Sequence, residues 1–192
     1  NKLYHIILTN VRCVFLFVII LFINPCTDAQ TTTHNKIRTI VIDPGHGGKD
    51  PGTMGTKRYN KYEKDIALSV SVRLGDYILN AFPGVKIIYT RKKDVFLELN
   101  ERTKIANSSN ADLFISIHCD GFTNSTASGA SVFVMGMSKL KANLEVAMRE
   151  NSAIYLEDNY KQKYDGFDPK SIESYIVFNV MQNTHLEQSL QL

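Results

Sequence analysis

Residues 44–55 (PGHGGKDPGTMG) hold five Gly and two Pro in twelve positions. Neither a helix nor a strand tolerates that density, so this stretch must be a loop. Residues 37–43 (IRTIVID) precede it, a β-branched run that reads as a buried strand. Residues 63–79 come after it, where Ile66, Ala67, Val70, Leu74, Tyr77 and Ile78 recur at helical spacing. The pattern then repeats. Residues 85–90 (VKIIYT) read as a second strand and 97–109 as a helix. Residues 112–118 (DLFISIH) read as a third strand and 130–136 (ASVFVMG) as a fourth. Residues 139–158 and 172–190 close the chain as helices. Alternation of this kind predicts an α/β fold: a single domain with a twisted, mostly parallel or mixed sheet flanked by helices. In such sheets functional residues gather where strands end and loops begin.

The N-terminus reads differently. The chain starts with Asn1, so it is expected to begin inside its reading frame. Residues 13–23 form an unbroken apolar run after Lys2 and Arg12. A spanning helix needs about 20 apolar residues, so the run is short for an anchor and fits the core of a secretory signal peptide. Thr27 and Ala29 suit cleavage before Gln30. Residues 1–29 are therefore read as a signal peptide, 30–36 as a polar linker and 37–192 as the functional domain. This predicts secretion to the periplasm or cell envelope, without stable membrane insertion. Cleavage would remove Cys13 and Cys26 and leave Cys119 alone, so no internal disulfide is expected. A 44% hydrophobic content excludes wholesale disorder. A net charge of +3 carries no concentrated basic face, which argues against a nucleic-acid partner.

Three residues of kinds that chemistry uses stand at or near element ends. His46 lies in the Gly-rich loop, Glu63 opens the first long helix, and His118 ends the third strand. Two His and one carboxylate suit a catalytic zinc, which takes three protein ligands and keeps one position for water. Each also has an ordinary reading. A strand-end His is commonly a hydrogen-bonded structural residue, a helix-start Glu commonly complements the dipole, and a Gly-rich loop can cradle phosphate. The loop lacks both the Lys-Ser/Thr ending of a P-loop and the GxGxxG spacing. Spacing alone leaves these readings open.

The wording narrows them. TIVIDPGHGGKDPGT, EKDIALSVSVRLGDYI and TRKKDVFLELNERTKIANSSNADLFISIHCDGF occur in that order. Across about residues 37–136 the chain resembles the zinc-dependent N-acetylmuramoyl-L-alanine amidases of bacterial cell walls, the type-3 amidase family. The resemblance implies a phosphorylase/hydrolase-like fold with Zn2+ held by His46, Glu63 and His118. It implies peptidoglycan as substrate, cut between the lactyl group of N-acetylmuramic acid and L-alanine during cell separation. Asp43 is expected either to orient His46 or to cap the strand end. Arg102 is expected to meet a peptide-stem carboxylate, or to pair with Glu98 or Glu101. Asn107 is expected to cap its helix. Cys119 points away from His118 on its strand and suits a small hydrophobe better than a nucleophile.

The chain departs from the family in one respect. Members carry a further Glu in a C-terminal strand, which acts in acid/base catalysis. No such wording occurs here, so that catalytic residue is expected beyond Leu192. Residues 138–190 are longer than a minimal connection and read as an insertion. Some members place a helix from this region over the active site, and an activator protein removes it. Glu145, Glu150, Glu157 and Glu173 are the candidates to reach the metal here. Two further readings remain: a non-catalytic wall-binding or regulatory remnant, or another zinc peptidase or deacylase. The absence of a tandem His-x-x-x-His weighs against the last.

Overall fold

The structure is a computed structural model. It describes residues 36–55, 60–119, 126, 128–134, 141–175 and 189–190, and for 141–143 the backbone alone. The chain divides into two units, Asn1–Lys36 and Ile37–Leu192, and every described helix and strand lies in the second. The expected signal peptide (1–29) and linker (30–36) lie outside the described residues apart from Lys36. Among the described residues no helix is long and apolar enough to cross a membrane.

The first strand, β1, is Thr39–Pro44, followed by helix α1, Glu63–Ala81. Next come β2 at Lys86–Tyr89, α2 at Leu99–Ser108 and β3 at Leu113–Ile117. The sheet order is β2-β1-β3 and both pairings are parallel. A parallel pair needs a crossover, and each helix supplies one. The α/β class expected from the alternation is the class observed. β1 lies in the middle, with Val41 and Ile42 fully buried and Ile40 nearly so. Each such side chain contributes roughly 1.5–3 kcal/mol by leaving water.

α1 packs on β1 through a stripe of small residues. Its buried positions are Glu63, Ala67, Ser71 and Gly75, four residues apart and therefore on one face. A Cβ at Gly75 would overlap the hydroxyl of Tyr89 on β2. The approach is too close for large side chains. Val70 and Tyr77, which recur at helical spacing, are accordingly 46% and 72% exposed. The same stripe carries Glu63 into the interior.

Two further expectations need correction. Residues 130–134 of the expected fourth strand are irregular, and Val132 is 90% exposed; 135–136 lie outside the described residues. An apolar run becomes a strand only with a ladder partner, and among the described residues β3 has none on its outer edge. The helix expected over 139–158 runs as α3, Lys141–Asn151, and then tightens into a 3-10 turn at Ser152–Leu156. Ser152 Oγ donates back to the Met148 carbonyl at 2.7 Å, a bond that bends helices. A short α4, Tyr160–Lys163, comes next, and residues 172–175 are helical. The rest of the expected 172–190 helix lies outside the described residues, apart from helical 189–190.

Candidate metal centre

The register pairs Pro44 with Ile117. The two strands are parallel, so their C-terminal ends share one edge of the sheet. His46 follows β1 by two residues and His118 follows β3 by one. Both imidazoles therefore sit over that edge, with ring centroids 4.8 Å apart at 78°. A Cβ at Gly45 would overlap the His118 ring, so glycine is required there.

His46 has φ 60, a left-handed conformation uncommon for a residue with a side chain. A tight turn beneath it explains how it is held. Gly47 N–H donates to the Asp50 carbonyl and Asp50 N–H to the Gly47 carbonyl. That turn brings Asp50 Oδ2 to 2.9 Å from His46 Nδ1. The other ring nitrogen, Nε2, then faces the site.

Glu63 is the first residue of α1 and 1% exposed. Its carboxylate accepts from two backbone amides, Thr53 N–H on Oε2 at 2.8 Å and Cys119 N–H on Oε1 at 2.7 Å. Oε1 stands 3.1 Å from His46 Nε2 and 3.2 Å from His118 Nδ1. Glu150, in the last turn of α3, completes the cluster. Its Oε2 lies 2.9 Å from His118 Nδ1 and 3.4 Å from His46 Nε2. Its Oε1 takes Arg149. One ligand atom from each of His46, Glu63, His118 and Glu150 lies within 4.8 Å of the others.

The donor set fits a divalent cation. Tetrahedral ligands bound at about 2.0–2.1 Å stand about 3.3 Å from one another. The His–His, His–Glu63 and His–Glu150 separations run from 2.9 to 3.4 Å. Two imidazoles and two carboxylates are nitrogen and oxygen donors that zinc accepts.

The electrostatics arise from the same crowding. Burial lowers the His46 pKa, but hydrogen bonds to Asp50, Glu150 and Glu63 more than offset it and raise it to about 11. Burial likewise opposes the His118 imidazolium, yet Glu150 and Glu63 raise it to about 9. Burial pushes Glu63 upward, but the two imidazoles and two backbone amides hold it well below the carboxylate range. Glu150 is lowered to about 2 against its burial by His118 and His46. The site thus binds positive charge strongly, protons included.

The remaining expected residues lie around this cluster. Asp43 is 3% exposed and faces neither imidazole nitrogen. Its Oδ1 accepts from Thr90 Oγ1 and Arg102 Nη1, and its Oδ2 from Ser116 Oγ. The carboxylate that orients His46 is Asp50. Arg102 is 4% exposed and pairs with Asp43, not with Glu98 or Glu101. Asn107 is exposed near the end of α2, where its backbone carbonyl accepts the Asn110 N–H. Cys119 is half-buried and serves Glu63 through its amide. Of the four glutamates considered, Glu150 reaches the cluster. Glu145 is exposed, Glu157 accepts the Leu99 N–H at the start of α2, and Glu173 accepts from Ser171. The reading from sequence missed Asp50 and Arg91. Asp50 had a signal, since a carboxylate four residues past His46 in a Gly-rich turn folds back onto the ring.

Four metal-capable donors over the C-terminal edge of a parallel sheet define an α/β protein with a candidate metal centre. Residues 40–190 match the Amidase_3 family, N-acetylmuramoyl-L-alanine amidase, and the chain belongs to that family. It is 37% identical over 158 residues to the N-acetylmuramoyl-L-alanine amidase AmiA of Escherichia coli strain K12, covering 81% of this chain and 51% of that one. It is 36% identical over 166 residues to AmiA of Salmonella typhimurium, covering 85% and 54%. The chain thus spans about half the length of these curated relatives. Among solved structures it is similar to the catalytic domain of CwlV, an amidase from Bacillus (Paenibacillus) polymyxa var. colistinus. That match has 38% identity, 47% and 50% coverage and a TM-score of 0.43. It is also similar to the CwlD amidase of Clostridioides difficile, solved in complex with the GerS lipoprotein. There the identity is 31%, the coverage 64% and 69%, and the TM-score 0.45.

Proposed function

We propose that this chain carries the metal cage of a peptidoglycan amidase. The bond cut is the amide between N-acetylmuramic acid and the L-alanine of the stem peptide. The observation that carries the reading is the convergence of His46, Glu63, His118 and Glu150 donors within 4.8 Å in a chain of this family. His46, Glu63 and His118 would hold zinc, with Glu150 as a displaceable fourth donor. When bound, zinc lowers the pKa of water to about 7 and polarises a carbonyl.

The chain's own residues prepare that chemistry. Asp50 fixes the His46 ring so that Nε2 faces inward. The Thr53 and Cys119 amides fix both oxygens of Glu63 and favour its ionised form. With its carboxylate beside both imidazoles, Glu150 would occupy the position that a substrate carbonyl needs, and α3 would close the site. Residues 138–190 would then be a regulatory insertion, and an activator protein would relieve it. The reaction's proton transfers need a further acid/base group beside the metal. Action on peptidoglycan places the protein in the periplasm or cell envelope of a bacterium, delivered by residues 1–29 as signal.

The test is product analysis. Purified peptidoglycan incubated with the zinc-loaded full-length protein should yield free stem peptides that begin with L-alanine. The Glu150→Ala variant should release them faster. Shorter peptide fragments or acetate would instead indicate a peptidase or deacetylase. Zinc binding without any product would indicate a wall-binding relative.

A further inference from the structure

We infer that Arg91 and Arg102 form a two-guanidinium clamp that positions His46 for the metal, resting on the metal cage proposed above. β1 ends at Pro44, and the next carbonyls lie beyond its ladder. Each meets an arginine. Arg91 Nε donates to the Pro44 carbonyl at 3.0 Å, and its Nη2 to the Gly45 carbonyl at 2.7 Å. Arg102 Nη1 donates to Pro44 at 2.9 Å, and its Nη2 to the His46 carbonyl at 2.8 Å. Three consecutive carbonyls, from residues 44 to 46, are thus held by two planar forks.

The forks are themselves held. Arg102 is anchored by the Asp43 carboxylate at 2.8 Å and by the Leu97 carbonyl at 3.2 Å. Arg91 also donates to the Lys64 and Lys93 carbonyls. Lys64 follows Glu63, so Arg91 ties the backbone beside one proposed ligand to the loop that carries another. Both arginines are buried, at 3% and 4% exposure. Neither side chain touches the four converging donors.

Two buried guanidinium groups side by side carry an unfavourable electrostatic and desolvation cost. Apolar residues would fill the same volume without it. What only the forks supply is a fixed path for a backbone that must turn left-handed at His46, where φ is 60. Gly47, at φ 124, packs against the Arg91 side chain, where a Cβ would stand 3.0–3.1 Å from it. Arg91 and Arg102 are therefore positioning residues: they act through the His46 backbone. Lysine keeps the charge but cannot span two carbonyls with a rigid fork.

The experiment compares zinc affinity, by competition with a chromophoric chelator, in the wild-type chain, Arg91→Lys, Arg102→Lys and Ile40→Ala. The last is a destabilising control at the far end of β1. The clamp requires each lysine variant to lose about 10–100-fold in zinc affinity while still folded. Ile40→Ala should lose less than about threefold at a comparable drop in melting temperature. Lysine variants that fold and bind zinc like the wild type would overturn the clamp and leave the metal cage standing. A folded wild type that binds no zinc would instead overturn the metal cage itself. Should neither lysine variant fold, NMR of the wild-type chain without metal decides. Slowly exchanging Arg91 and Arg102 Nε protons are expected there, and rapid exchange of either would overturn the clamp.

Discussion

Three of the converging donors come from residues 46–118 and the fourth from residue 150, and the two regions are anchored in different ways. His46 and His118 hang from the ends of paired parallel strands, and Glu63 from a helix whose small-residue stripe is buried against β1. Buried arginines and backbone amides fix the same loop and the same carboxylate. The 141–175 segment is fastened by polar contacts at its margin. Lys49 Nζ donates to the Leu156 carbonyl, Glu157 accepts from Leu99 N–H, and Asn100 N–H donates to Tyr164 Oη. Lys163 pairs with Glu98 at an exposed position. The difference teaches that three donors hang from the parallel sheet and the helix packed on it, whereas the fourth rides on a segment with its own buried residues, Ile154 and Tyr175, that is joined to the Gly-rich loop and the start of α2 by hydrogen bonds and an ion pair.

The largest expected effect lies beneath the core donors. Asp43→Ala leaves Arg102 buried without its counterion, which should destabilise the fold by about 3–5 kcal/mol in a denaturant titration. A loss below about 1 kcal/mol would mean that the pair does not hold the loop.

The next effect separates the two regions directly. Glu63→Gln should weaken zinc binding on the order of 100-fold or more, and Glu150→Gln less than about tenfold. Glu150→Gln should raise amidase activity while Glu63→Gln abolishes it. Equal losses of zinc from both variants would put Glu150 in the permanent cage and break the comparison.

A smaller effect is expected at the tether. Glu157→Ala removes the acceptor of Leu99 N–H and of Tyr164 Oη. The unpaired groups should cost about 1–3 kcal/mol of local stability. Hydrogen exchange in 141–175 should quicken while the β1 and β3 amides stay protected. Uniform quickening would show that the segment and the core open as one unit.

Acidity gives the most graded effect. His46 and His118 titrate at about 11 and about 9 instead of 6.5, so a chelator-treated chain holds both protons at neutral pH. Zinc bound as proposed would have to displace them, so its apparent affinity should rise with pH up to that range and fall as pH is lowered. Calorimetry in buffers of different ionisation heat should show proton release on binding. Without metal, the raised imidazoles add stability that is complete below about 6.5 and lost as pH climbs through 9 to 11. The lowered Glu63 and Glu150 add stability that is present above about 4.5 and lost as pH falls below it. Chelator-treated protein should therefore be most stable between about pH 4.5 and 6.5. A maximum above pH 8 would contradict these assignments.

Much of this was legible in the sequence because local chemistry forces it. The Gly-Pro density of 44–55 forces a loop, the β-branched run before it forms β1, and Glu63 opens α1 as read. Periodicity marked α1 as a helix but not which of its faces is buried. The sheet selects Ala67, Ser71 and Gly75, which permit close approach. Asp43 was the carboxylate considered for orienting His46 and Asp50 was missed, because only the 47–50 turn brings Asp50 onto the ring. Glu150 was one of four candidates, and sequence carries no information on which turn of α3 faces the strand ends. Arg91 gave no signal, since three of its four acceptor carbonyls lie 27 to 47 residues away.

The most direct test of the metal centre is elemental analysis of the purified chain beside its His46→Ala and His118→Ala variants. About one zinc per chain is expected in the wild type and essentially none in either variant, all three being folded by circular dichroism. A folded wild type without zinc, or variants that keep it, would contradict a centre built on these two imidazoles.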